Sequence, residues 1–408
     1  MLACLALVAG TAAAAPSARL LLVQKDGHTA LFLPETHLGT PAQDDAYFRN
    51  IIRPAFGASS ALMVEHSSIS WMDQSHYQDA CDDENEAEHA LDPALAAELQ
   101  RHPPVLPAAL RTVVDSDWTA QLGRFMRFQL LFIDIHTRWR APVDKHDGLP
   151  VASVKVRNAQ SGILLVQAPR HAFSVEDLGT FLHAYCALAP AERALLIGET
   201  IKRSVEVDAP EAQQTANQRR ASVYRQTDTE YQQELANMHA NLRGDASAAQ
   251  TWTASQLAFN KFLLVQRNQA WLDALPAIMQ RERLPFYALG AAHFSDTPAG
   301  PGLITLLRKT GYRVTLIDSQ RALKTALAGI PPPAPPVEQV LAQHELPGSC
   351  KLEGNVQACL WTDQSTSYHV MKVQAAQPSE IWVLCYQRDG MIEPQTTCVT
   401  SMRQIAAD

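Results

Sequence analysis

Residues 285–317, PFYALGAAHFSDTPAGPGLITLLRKTGYRVTLI, decide the fold. PFYALGAAH is a continuous apolar run of strand length that leaves the hydrophobic interior at a histidine. GPGLITLLRKTG follows as a helix with Gly311 just past its end, and YRVTLI closes the unit as a strand. A strand, turn, helix, strand order predicts an α/β (α+β) fold, a central mixed β-sheet covered by helices. In such a sheet the reactive groups gather at strand ends.

Earlier in the chain the same alternation recurs. RLLLVQK and TALFLP read as two strands joined at the Asp26-Gly27 turn, DDAYFRNIIRPAF as a helix with Pro54 near its end, and SALMVEH as a third strand. Residues 105–250 read as mostly helical, with strands at PVASVKV and GILLVQA, and one long helix spans about 254–283. Residues 66–104 look like an insertion or lid, with a short helix at DPALAAELQ. Its acidic run, CDDENEAEHA, reads first as a solvated face rather than a cation site with His76, Cys81 and His89 as ligands.

The ends of the chain differ from its middle. MLACLALVAGTAAAAPSA is apolar and ends in small residues, so residues 1–15 read as a secretory signal and the protein as exported, periplasmic or extracellular if bacterial. PPPAPP, residues 331–336, reads as a stiff linker that closes a main domain of residues 19–325. Beyond it, residues 340–408 read as a small β module with runs YHVMKV and EIWVLCY, stapled by cysteines. Outside the signal the cysteines are Cys81, Cys186, Cys350, Cys359, Cys385 and Cys398. Six cysteines allow 15 pairings. Proximity favours Cys350 with Cys359 and Cys385 with Cys398, which leaves Cys81 for Cys186. With 34 basic and 42 acidic residues and a net charge of −8, the 408-residue chain has no footprint for nucleic acid or an anionic membrane. No apolar run after the signal reaches transmembrane length.

Three ionisable residues stand where apolar strand-like runs end: His37 after TALFLP, Glu65 after SALMV and His293 after FYALGAA. Two histidines and a carboxylate make a ligand set for a catalytic divalent metal such as manganese, cobalt or zinc. Each residue alone has a plainer reading, as a structural hydrogen-bonding histidine or a salt-bridged glutamate. Their repetition at strand ends is the stronger signal.

LFLPETHLGT, ALMVEH, LLVQRNQAWL and FYALGAAHFSDTPAGPGLITLLRKTGYRV, in that order, resemble the TraB/GumN family, related to Tiki metalloproteases and more loosely to erythromycin esterase and ChaN-like proteins. The resemblance covers about residues 19–320 and implies a divalent-metal site built from two G-x-x-H histidines and a glutamate, used for peptide-bond hydrolysis. By position these are His37, Glu65 and His293, with Gly290 opening the second motif. The first motif departs: Pro34 stands where the family has glycine, followed by Glu35. Proline fixes φ and removes an amide donor, so that turn is altered. GILLVQAP also has Gln167 where the family often carries glutamate.

The long helix adds a physical clue. Leu257, Leu264, Asn268, Trp271 and Leu275 fall within about 40° of one line at 100° per residue, so Asn268 sits on the apolar stripe. A buried amide requires a hydrogen-bonding partner. Arg267 lies at the stripe's edge. The pair is either a core Asn beside a surface Arg, or, as the family's Arg-Asn pair implies, a device that orients the ligand carboxylate or binds substrate.

These readings predict an exported metal-dependent hydrolase with Glu35 as general base, Arg267 and Asn268 assisting, and a peptide or small-molecule substrate. No G-x-S-x-G elbow or catalytic-looking cysteine offers another nucleophile. The alternative is a catalytically silent ligand- or partner-binding protein on the same fold, which Pro34 favours.

Overall fold

The computed structural model describes residues 18–36, 39, 45–65, 78–101, 122–144, 159–167, 171–208, 216–245, 251–330, 351–353, 356–363, 366–374, 379–388 and 396–404. The signal, His37, PVASVKV, the PPPAPP linker, Cys350 and, within the insertion, residues 66–77 and 102–104, His76 among them, lie outside these residues.

The fold is mixed α/β, as expected. Among the described residues six strands form the first sheet: β1 (Leu20–Lys25), β2 (His28–Glu35), β3 (Ala61–Val64), β4 (His171–Ser174), β5 (Pro285–Gly290) and β6 (Arg313–Ile317). Their order is β4-β3-β5-β2-β1-β6. β4, β3, β5 and β2 run parallel, and β1 alone runs against its neighbours β2 and β6. The β1–β2 hairpin turns at Asp26 and Gly27, both with positive φ (51° and 81°). That geometry is the reason for Asp-Gly there.

Strand alternation gives the sheet two apolar faces. Leu21, Val23, Phe32, Met63, Tyr287 and Leu289 face helices α8 (Ala216–Arg243), α10 (Arg267–Arg281) and α11 (Leu303–Lys309). Leu20, Leu31, Leu33, Leu62 and Phe286 pack with Phe48, Phe56, Leu164 of α5 (Gln160–Gln167) and Leu323. At about 25 cal/mol per Å² of apolar area, such two-sided burial is the main favourable term.

A separate helical core joins α3 (Asp92–Arg101), α4 (Arg124–Asp144), α6 (Leu178–Cys186) and α7 (Pro190–Asp208) through Leu95, Phe125, Phe128, Phe181, Tyr185 and Leu196. The Cys81–Cys186 disulfide ties the acidic segment to this core. The acidic run is in part a solvated face, with Asp82, Asp83 and Glu86 exposed, and in part an ion-pair network. Glu88 and Arg193 are fully buried and paired at 2.8 Å, and Asp83 joins Arg193 at 2.7 Å. Arg124 binds Asp92 and Glu84, and His89 sits on Arg124 and Asp92. Cys81 and His89 are thereby engaged structurally.

Other expectations shift. GILLVQA is helical as part of α5, because a short apolar run carries no period of its own and its first turn is held from outside by Glu35. The long helix is continuous but not uniform: α9 (Ala254–Asn260) passes through a π-helical turn, Lys261–Gln266, into α10. The wider turn moves the buried stripe from Leu257 and Leu264 to Ala258 and Phe262, and below it Arg267 joins Asn268, Trp271, Leu272, Leu275 and Met279 inside. Arg267 is therefore not a surface residue.

Residues 351–404 contribute an antiparallel meander, β7 (Lys351–Glu353), β8 (Val356–Asp363), β9 (Thr366–Gln374), β10 (Ser379–Arg388) and β11 (Thr396–Gln404). Its register sets Cys385 directly opposite Cys398. No helix among the described residues is long and apolar enough to cross a membrane.

Candidate active site

The four parallel strands deliver one ionisable group each to their carboxyl edge. Glu35 ends β2, Glu65 follows β3, Glu176 follows β4 and His293 follows β5. All four are buried, between 3% and 5% exposed. β5 lies between β2 and β3, and it is at the carboxyl ends of such crossed strands that open α/β sheets bind ligands.

His293 sits on a short 3-10 turn, Ala291–Phe294. Its Nδ1 is 2.7 Å from Asn268 Oδ1, while Asn268 Nδ2 donates to the His293 carbonyl at 3.0 Å. The second bond fixes the amide's orientation, so Oδ1 accepts and Nδ1 carries the hydrogen. Nε2 is the other nitrogen of the ring. It faces Glu65 Oε1 at 3.7 Å, and the ring lies 4.4 Å from that of Trp271. Downstream, Asp296 accepts the Gly302 amide at 2.8 Å and the Thr305 hydroxyl at 3.0 Å. A Cβ at Gly302 would stand 2.4 Å from the Ser295 carbonyl, so only glycine lets this loop close behind His293.

Glu65 accepts the Gly290 amide on Oε1 at 2.5 Å and the Arg267 guanidinium on Oε2 at 2.8 Å. Arg267 also gives Nε and NH2 to the two oxygens of Glu176, at 2.9 and 2.6 Å, and NH1 to the Leu263 carbonyl at 3.1 Å. Its plane lies against Phe181 and Trp271, 4.8 and 4.9 Å from the ring centres. Trp271 Nε1 donates to Glu176 at 2.9 Å. Burial pushes the Glu176 carboxyl up to about 7; the charge and hydrogen bonds of Arg267 oppose this and the charge of Glu65 adds to it. Arg267 is held above its ordinary value: burial would lower it, but Glu176 and Glu65 outweigh that.

Glu35 lies apart from this cluster. By strand parity it shares the face of Leu31 and Leu33, whereas Glu65 shares the face of Met63. Its carboxylate takes the Ser161 amide and hydroxyl, both at 2.8 Å, at the start of α5. This anion at a helix N-terminus satisfies a donor that the helix cannot. Pro34 lies past the stretch of β2 paired with β1, and its carbonyl accepts the Tyr231 hydroxyl at 2.8 Å. The proline therefore deprives β1 of nothing.

Of the residues read from sequence, Glu65, Arg267, Asn268 and His293 come together, Glu35 sits on the other face, and His37 lies outside the described residues. Sequence reading missed Glu176. Gln167 ends α5, and the buried carboxylate of this part of the chain comes nine residues later, just before Asp177 caps α6. No group of three or more histidine, cysteine, aspartate or glutamate side chains able to hold a metal occurs among the described residues. The donor pair present does suit one: ligand atoms about 2.0–2.2 Å from a shared ion stand roughly 3–4 Å apart, as Oε1 and Nε2 do.

No curated protein and no solved structure matches the chain. Residues 183–316 match the TraB/PrgY/gumN family. That stretch holds the Arg267–Asn268 pair and the GAAH strand exit, so this part of the chain is similar to the TraB/GumN family and supports the assignment.

Proposed function

We propose that the chain is an exported hydrolase of peptide amide bonds, with Glu65 and His293 as two ligands of a divalent metal and His37 as the third. The observation that carries this reading is the Asn268 bond to His293 Nδ1, which turns Nε2 onto Glu65 Oε1 at 3.7 Å. A carboxylate oxygen and an imidazole nitrogen held at that distance in a buried site are spaced as two ligands of one cation. When bound, manganese, cobalt or zinc would polarise a carbonyl and bring the pKa of a water to about 7.

The chain's own residues supply the setting. Asn268 keeps the proton on Nδ1, Arg267 binds Glu65 Oε2, and the walls of Phe181 and Trp271 limit water. Glu35 can act as general base only after leaving Ser161. Export is supported by the apolar N-terminal stretch and by the Cys81–Cys186 disulfide.

Metal analysis of the purified chain tests this reading. Stoichiometric metal in the wild type, lost in Glu65→Ala and His293→Ala, is expected. Wild type that stays metal-free after incubation with manganese, cobalt or zinc refutes it. A second reading, a ligand-binding protein without catalysis, draws on the commitment of Glu35 to Ser161. Metal-loaded protein that cleaves nothing in a peptide library would favour it.

A further inference from the structure

Arg267 divides its donors unequally between two carboxylates. Glu176 receives the planar Nε–NH2 edge across both oxygens, at 2.9 and 2.6 Å, whereas Glu65 receives one bond, to Oε2 at 2.8 Å. The bidentate edge is the strongest bond a guanidinium makes, and a buried carboxylate competes for it. If Glu65 held that edge, both its oxygens would be turned to Arg267, away from Gly290 and His293. Trp271 Nε1 and the Phe181 ring keep the present arrangement, one by binding Glu176 and the other by covering the guanidinium.

We infer that Glu176 is a positioning residue that holds the bidentate edge of Arg267 away from Glu65 and so keeps Glu65 Oε1 directed at His293. The inference rests on the proposed site, since the metal is what Oε1 and Nε2 would share. Glu176 acts through Arg267, and an amide in its place would set an N–H against the arginine's N–H groups while keeping the volume.

The test compares wild type, Glu176→Gln, Arg267→Met and the double variant as full-length, metal-free chains titrated with manganese or zinc in a calorimeter. Glu176→Gln is expected to weaken binding about tenfold or more. In the Arg267→Met background the same change should matter less than about twofold, because the group it restrains is gone. An equal loss in both backgrounds, or no loss in either, overturns the inference. Arg267→Met leaves two buried carboxylates without their arginine and can fail to fold, so a crystal structure of metal-free Glu176→Gln provides a second decision. Arg267 turned edge-on to Glu65 supports the inference, and Arg267 left in place refutes it. A wild type that binds no metal removes the proposed site but leaves this structural outcome to decide the role of Glu176.

Discussion

Asn268 and His293 hold each other by two hydrogen bonds, one from the amide to the histidine's own carbonyl at 3.0 Å and one from its ring to the amide oxygen at 2.7 Å. The pair fixes backbone and ring together, so both the position and the tautomer of His293 depend on one residue of α10.

Asn268→Ala should therefore cost more than packing. We expect a loss of roughly 1–3 kcal/mol in stability from two buried partners left without a bond. Metal affinity should fall about 10–100-fold. Urea unfolding and calorimetry measure the two effects. Unchanged affinity alongside reduced stability would mean that the ring needs no such guide.

The carboxylates around Arg267 make stability depend on pH. Glu176 is held at about 7 against 4.5 for an ordinary glutamate, chiefly by burial. A raised carboxyl favours the folded state fully below its unfolded value, and that contribution is lost as pH rises through about 7. The metal-free wild type should thus lose stability relative to Glu176→Gln between about pH 5 and about pH 8. Denaturation curves across that range would contradict this if the difference stayed constant or moved the other way.

Glu35 and Ser161 should behave as one structural unit. Ser161→Ala and Glu35→Gln are each expected to destabilise the fold by roughly 1–3 kcal/mol, and the double variant by less than the sum. If Glu35 is instead the general base, Ser161→Ala will spare activity or raise it while Glu35→Gln abolishes it. Peptide cleavage measured beside thermal unfolding separates the two roles.

Cys385 and Cys398 face each other across the β10–β11 register, and cross-strand neighbours come within disulfide range. Peptide mapping of non-reduced protein should find them linked. Alkylation of both without prior reduction would count against the bond. The companion pairing expected for Cys359, with Cys350, lies outside the described residues.

What could be read from sequence follows from how locally each feature is encoded. Asp26-Gly27 and the GAAH exit are visible because a turn and a buried strand write themselves in adjacent residues. Asn268 is visible because a helix repeats its faces. Glu176 is not: its partner Arg267 is 91 residues away, and nothing periodic surrounds it. The signal was indirect: an arginine at the edge of an apolar stripe, once drawn inside, requires a buried carboxylate. GILLVQA misled because its helix is started by Glu35, a group from β2. Glu35 itself was read at the right strand end, but a strand end does not say which face will claim the side chain.

The position of β5 also governs how the protein is made. β2 and β3 are synthesised early, yet each pairs with β5, which follows only after the helical half of the chain. Until it arrives, both strands have bare edges that can pair with other chains. Pairings so distant in sequence form slowly. The last central strand to arrive also carries the Gly290 amide to Glu65 and places His293 beside it. A chain truncated before Pro285 would then lack the strand that joins β2 to β3 and would leave Glu65 without Gly290 and His293 beside it.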